Sequence, residues 1–305
     1  LRPAAHRVGH DPAVGARTAK NPLPRLSLGL QKRFGRQRLR RILLGAIPFL
    51  ALGTIWQMNA VYRWLAPIHI PPPAAVWGAI FTLQDSCAGL MDALRQSPGC
   101  LFTSHILSSM GRVGLSLVVG LPLGVAFGVL AGMHRRLANA LEPVGVFANA
   151  ISGIAWVPLA IVWFGVGWLT TLFILLNTVF WLVFFNTLLG VRGVPRVYEH
   201  GVLTLGGKRR KVITQVYLPG ALPSIVTGIR MSMGFGWRAL IAAEMIGGDR
   251  GLGFMLFVSA QEYKTEEVFL GVLVIAIIWM ITDRACLVPL ERWTIERWGL
   301  VWRPT

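Results

Sequence analysis

Charge is scarce in this chain of 305 residues: 14% of positions are Asp, Glu, Lys or Arg, and 13 residues are acidic. A soluble domain carries about 25%, so an ordinary water-facing globule is excluded. Cysteine is also rare, with Cys87, Cys100 and Cys286, too few for a disulfide-built scaffold. The six histidines (His6, His10, His69, His105, His134, His200) are scattered without ligand spacing. Neither a zinc site nor a catalytic triad is supported, and no catalytic residue or metal ligand is expected.

What is abundant is hydrocarbon. Hydrophobic residues make up 54% of the chain, and they gather in runs of the length that crosses a bilayer. Six spans are expected, at Ile42 to Leu65, His105 to Gly132, Pro143 to Trp168 (broken at Pro158), Leu169 to Val191, Gly220 to Gly247 and Val268 to Pro289. The fold class expected is an all-α polytopic membrane protein.

The net charge of +17 is unevenly spread. Eleven cations precede the first run against one acid, Asp11. Cations beside membrane spans mark the cytoplasmic side and attract anionic lipid, so membrane lipid rather than nucleic acid is the expected partner. Residues 1–41 read as a flexible basic tail and 290–305 as a second tail. No cleavable signal peptide is expected, because the first run comes late and is too long for one. The tail, His134-Arg135-Arg136, the loop from Arg192 to Lys211 and Arg284, Arg292, Arg297 and Arg303 fall on one side, which puts both termini in the cytoplasm.

Residues 66–104 fall on the opposite side. They begin Pro71-Pro72-Pro73 and continue as an amphipathic stretch suited to the interface. Cys87 and Cys100 lie there, where a disulfide is permitted; two free thiols are the alternative. Gly251-Leu-Gly253-Phe254 on the same side reads as a turn. Trp56, Trp64, Trp77, Trp279, Trp293 and Trp298 near span ends read as interface anchors.

The polar island Glu199 to Pro223, between two spans, admits three readings. Gly201 to Lys208 approaches a phosphate-binding loop, but the lysine is one residue late and Arg209 stands where Ser or Thr must hold magnesium. Nucleotide binding is thereby excluded. A solvated basic loop that only sets topology remains open. So does a docking helix: Glu199 to Leu205 gives about two turns, with the acid near the dipole's positive end and Gly206-Gly207 ending it. Lys208 to Lys211 would open a second helix that Leu218-Pro219 breaks at the membrane.

In the fifth span, Arg230, Arg238 and Glu244 are intramembrane charges and must face protein, water or each other. They are candidates for a substrate pathway, with local pairing of Arg238 and Glu244 as the structural alternative. Arg112 in the second span is open in the same way. Pro158 is expected to bend the third span toward that pathway, and Gly228, Gly234 and Gly236 suit close helix approach.

The island also resembles the coupling motif of permease subunits of binding-protein-dependent ABC importers: Glu-Ala-Ala, three variable residues, Gly, a spacer, then Leu-Pro. Here Glu199-His200-Gly201 is followed by Gly206, seven residues after the glutamate, and by Leu218-Pro219. The alanines are replaced by His200 and Gly201. PPPAAVWGAI, HILSSMGRVGLSLVVGLPLGVAFGVLAG, WVPLAIVWFGVG and LPGALPSIVTGIRMSMGFGWRALIAAEMIGGDRGLGFML, with ERWGL, are similar to the nitrate/sulfonate/taurine-type subfamily.

The resemblance implies a type I importer permease of MetI-like fold in a bacterial inner membrane. It implies a second permease subunit, in a homodimer, and two cytoplasmic ATPase subunits that carry the ATP and magnesium. A periplasmic binding protein would deliver a small oxyanion such as nitrate, taurine or bicarbonate. This chain itself would bind no cofactor and catalyse nothing. A stand-alone secondary transporter or channel is the competing class, and no inverted repeat supports it.

Overall fold

The computed structural model describes residues 27–83, 101–291 and Thr294. Cys87 and Cys100 lie outside these residues, as do most of the two tails. The chain divides into two compact units, Leu1–Ile55 and Trp56–Thr305. The described part of the first is the start of helix α1, Ser27–Tyr62. Helix therefore begins well before the expected span at Ile42. Most residues from Gln31 to Arg41 are Gln, Lys, Arg or Leu, good helix formers, and extending a formed helix costs little.

In the second unit the helices are α2 (Pro73–Leu83), α3 (Leu101–Met133), α4 (Arg135–Ala150), α5 (Val157–Phe164) and α6 (Trp168–Arg192). They continue as α7 (Arg196–Thr204), α8 (Arg209–Gly247), α9 (Leu252–Gln261) and α10 (Thr265–Thr282). No strand occurs among the described residues. By length and composition α3, α6, α8 and α10 can each cross a membrane, and α4 with α5 makes a fifth crossing if that bent pair is one span. The apolar run expected as the first span lies mostly in α1.

Register settles how the bent pair counts. Gly120, Gly124, Gly128 and Gly132 form one stripe of α3, and a Cβ at each would meet Val179, Val183, Thr187 and Val191 of α6 in turn. Residue numbers rise together, so α3 and α6 run parallel. The segment joining them must therefore return the whole way. Its contacts trace that return: Ala138 clusters with Leu188, Gly145 faces Trp181, Gly153 nears Thr178, and Val157 reaches Gly247. Helix α8 runs antiparallel to α6, with Gly190 on Ser224 and Gly236 on Leu175. Helix α10 runs antiparallel to α8, with Trp279 beside Gly234 and Asp283 beside Arg230.

Two expectations about proline are corrected. The third span is not broken at Pro158. The 92° bend falls between Ala150 and Gly153, and Pro158 sits in the first turn of α5, where a missing N–H costs nothing. Leu218-Pro219 does not break a helix either. Helix α8 runs unbroken from Arg209 because a π turn, Ile213–Tyr217, precedes the proline. The wider turn, with Leu218 N–H on the Ile213 carbonyl, makes room for a ring that would clash in a tight α-helix. The same device recurs at the end of α10, where the π turn Asp283–Leu287 precedes Val288-Pro289.

Candidate functional site

Three places gather the polar residues of the second unit. The first is the end of the bundle where α3 and α6 finish and α8 begins. Pro195 starts α7, and Gly206 ends it at φ +77°, a conformation that glycine adopts without strain. Gly206 N–H reaches the Leu203 carbonyl at 3.0 Å and Gly207 N–H the Val202 carbonyl at 2.9 Å, closing a glycine C-cap. Gly207 is held so close that a Cβ would stand 2.5 Å from Val202 Cγ1.

Helix α7 has two faces. Val202 packs inward on a cluster of Val129, Val191, Val212, Tyr217, Ala221 and Ile225. Glu199 shares that side, accepting a 2.7 Å hydrogen bond from the Tyr217 hydroxyl. Val197, Tyr198, His200, Gly201 and Leu205 face away, with Leu205 90% exposed. Glu199 thus looks into the bundle, while His200 and Gly201 look out. The side of α7 that sequence framed by Glu199 and Gly206 is split between two directions.

The second place is the opposite end. Glu244 is fully buried and Arg112 is 1% exposed. Arg112 Nη1 donates to Glu244 Oε1 at 2.8 Å and to the Arg250 carbonyl at 2.6 Å, while Nη2 reaches Asp249 Oδ1 at 3.1 Å. Ser109 Oγ donates to Glu244 and accepts from Leu252 N–H, and Gly253 N–H donates to Glu244 Oε2 at 3.0 Å. His105 Nδ1 accepts from Gly251 N–H, and Arg112 stacks over Trp168 at 4.9 Å. The expected local pair of Arg238 and Glu244 is not formed, because Glu244 faces α3. A buried charge left without such partners costs several kcal/mol, and here every carboxylate oxygen is engaged. Of the stretch expected as a turn only Gly251 is non-helical: it is the N-cap of α9, and Leu252 to Phe254 form the first turn of that helix, packed onto this carboxylate.

The third place is a cavity of about 480 Å³ half-way along α6, lined by Asn149, Ser152, Asn177, Thr178, Phe235 and Arg238 among others. It opens where the α4–α5 bend leaves irregular backbone, which is tolerated at membrane depth when it borders a cavity. Arg238 lies over the Phe235 ring at 5.6 Å and forms no ion pair among the described residues. No carboxylate borders the cavity. Asn177 accepts the Trp181 indole N–H on its oxygen, which leaves its NH2 group to donate. Arg230 differs: its guanidinium is 3.6 Å from Asp283 on the neighbouring α10 end.

Residues 120–284 match the family described as the binding-protein-dependent transport system inner membrane component. The chain belongs to this family. The permease is 32% identical to the taurine transport system permease protein TauC of Escherichia coli (strain K12), over 78% of this chain and 84% of that one. It is 30% identical to the bicarbonate transport system permease protein CmpB of Synechococcus elongatus, over 88% and 94%. With the nitrate import permease protein NrtB of Leptolyngbya laminosa the identity is 27%, over 80% and 85%. The MetNI methionine ABC transporter, solved in inward-facing conformations, aligns with TM-score 0.45 and 19% identity over 62% of this chain and 96% of that chain.

The permease is a multi-pass inner membrane protein, helical throughout its regular structure among the described residues. Its matched residues include the glycine stripe, the α4–α5 bend, α7 and Glu244, while Arg112 and Ser109 precede them. Sequence reasoning missed Ser109, Tyr217, Asn149 and Asn177. A polar residue inside a long apolar run was the signal for the two asparagines. Nothing in the local sequence of Tyr217 pointed to Glu199.

Proposed function

We propose that this permease is the membrane-spanning subunit of an ATP-driven importer for a small oxyanion, working as a homodimer. The outer face of α7 carries the reading. Val197, Tyr198 and Leu205 are 67%, 60% and 90% exposed at the cation-rich end of the bundle, the end that the positive-inside rule puts in the cytoplasm. A loop that only set topology would show water its charges. One that shows apolar side chains between two spans fits a partner's groove. That partner is a cytoplasmic ATPase holding ATP and magnesium, one on each permease, and pulling α7 moves α6 and α8 directly. A periplasmic binding protein delivers the solute to the end that holds Asp249 and Gly251, and both termini lie in the cytoplasm.

The relatives named for taurine, bicarbonate and nitrate all concern small oxyanions, and the cavity at Arg238 offers matching chemistry. It sets one cation among neutral donors, with no acid to repel the solute. Arg230, held by Asp283, supplies a weaker step on the same helix. Pro158 starts α5 beyond the bend that forms the cavity wall. Glu244 is committed to Arg112 and serves the pathway by holding the outer turn.

Co-expression with a neighbouring ATPase gene tests the reading. The ATPase is expected to co-purify with the wild-type chain and to be lost with Leu205→Asp, whose side chain touches nothing inside the bundle. Activity driven by an ion gradient, with no ATPase bound, would establish the secondary-transporter alternative.

A further inference from the structure

Resting on the importer reading above, we propose that Glu199 is a positioning residue of the coupling stroke, one that latches α7 to the root of α8 through the Tyr217 hydroxyl. Its partner lies within the chain, 18 residues on, across the Gly206 turn. Glu199 is half-buried on the inner side of α7, whereas the residues free to meet an ATPase are on the outer side.

The Tyr217 ring is 7% exposed, wedged among Val129, Val191, Val212, Ala221 and Ile225. Those residues come from α3, α6 and α8, so the hydroxyl is the one polar tip of a plug seated where three spans meet. Beside it lies a cavity of about 270 Å³, bordered by Gly132, Met133, Arg192, Arg196 and Glu199. An O–H···carboxylate bond of 2.7 Å is a charge-assisted contact, stronger than a neutral one.

The mechanical consequence follows from the turn. Between α7 and α8 the chain passes Gly206 at φ +77°, a natural hinge. Val202 resists hinging by packing, which has no direction. The Glu199–Tyr217 bond fixes the angle, so a pull on the outer face of α7 turns α8 rather than opening the corner. Tyr217 closes the π turn that admits Pro219, so the latch acts at the point where α8 is widest and most deformable.

The test uses the whole assembly in proteoliposomes: permease, its ATPase, its binding protein, and whichever of taurine, nitrate or bicarbonate the wild type imports. Tyr217→Phe keeps the ring in its cluster and removes the hydroxyl. It is expected to leave ATPase co-purification and thermal stability nearly unchanged. Solute imported per ATP should fall well below the wild-type ratio, because a pull on α7 then opens the corner instead of turning α8. Glu199→Ala should do the same, and the double variant no worse than either alone. Glu199→Gln, whose amide oxygen can still accept the bond, should recover most of the coupling. A wild-type ratio in Tyr217→Phe would overturn the latch, as would loss of the ATPase from Glu199→Ala with Tyr217→Phe intact. Failure of the wild-type chain to bind any ATPase is a different result: it overturns the importer reading, and the latch with it.

Discussion

Gly251 lies against the Glu244 carboxylate so closely that a Cβ on it would stand 2.2 Å from the Glu244 Cδ. Its φ of +118° is strained for any other residue. Steric exclusion and backbone conformation therefore ask for the same amino acid. Gly251→Ala is expected to destabilise the permease by more than about 2 kcal/mol, seen as a lower Tm in detergent. Gly201→Ala is the matched control. Nothing lies within 4 Å of a Cβ there, and alanine improves α7 by up to about 1 kcal/mol.

The Arg112–Glu244 pair should behave as a unit. Arg112→Met leaves a buried carboxylate with hydrogen bonds but no cation, and a loss of about 3–5 kcal/mol is expected. Adding Glu244→Met removes the stranded charge and should restore part of that loss, although Gly253 N–H then lacks its acceptor. Denaturant titration of the two single variants and the double one checks this; strictly additive losses would show that the two side chains do not depend on each other.

The glycine stripe on α3 supplies a third expectation. A Cβ on Gly128 would be 2.6 Å from Thr187 Cβ and 2.9 Å from the Phe184 carbonyl oxygen, so Gly128→Ala must push α3 from α6. A cost of about 1–3 kcal/mol is expected from such overpacking. Gly114→Ala, on the same helix but with nothing within 4 Å, should cost nothing measurable. Comparing the two by thermal unfolding separates helix contact from helix propensity.

Sequence made the helical membrane class and the α7 motif legible because both are local. Hydropathy runs, the Glu199–Gly206 spacing and the Gly206 turn depend on neighbours along the chain. What it hid depends on register between helices. Glu244 reads as a partner for Arg238 six residues away, and its real partner, Arg112, stands 132 residues earlier. The glycines Gly120, Gly124, Gly128 and Gly132 repeat every four residues, and what that repeat means depends on Val179, Val183, Thr187 and Val191 opposite. Proline misled twice, for two reasons. Pro158 falls in the first turn of α5, where no N–H is needed, and at Pro219 a π turn removes the clash that an α-helix would impose.

Arg238 is the remaining test. If its cavity passes an oxyanion, the guanidinium contributes charge while Asn149, Ser152, Asn177 and Thr178 contribute direction. Arg238→Gln keeps length and donors but removes the charge. The fold should tolerate this, because the side chain is exposed and without an ion pair among the described residues. Import in proteoliposomes should fall by about tenfold or more, as for a lost charged hydrogen bond, with binding-protein affinity for the solute unchanged. Arg238→Lys should recover part of it, since a point charge attracts the anion but lacks the guanidinium's forked geometry. Wild-type import by Arg238→Gln would move the anion path away from the α4–α5 bend.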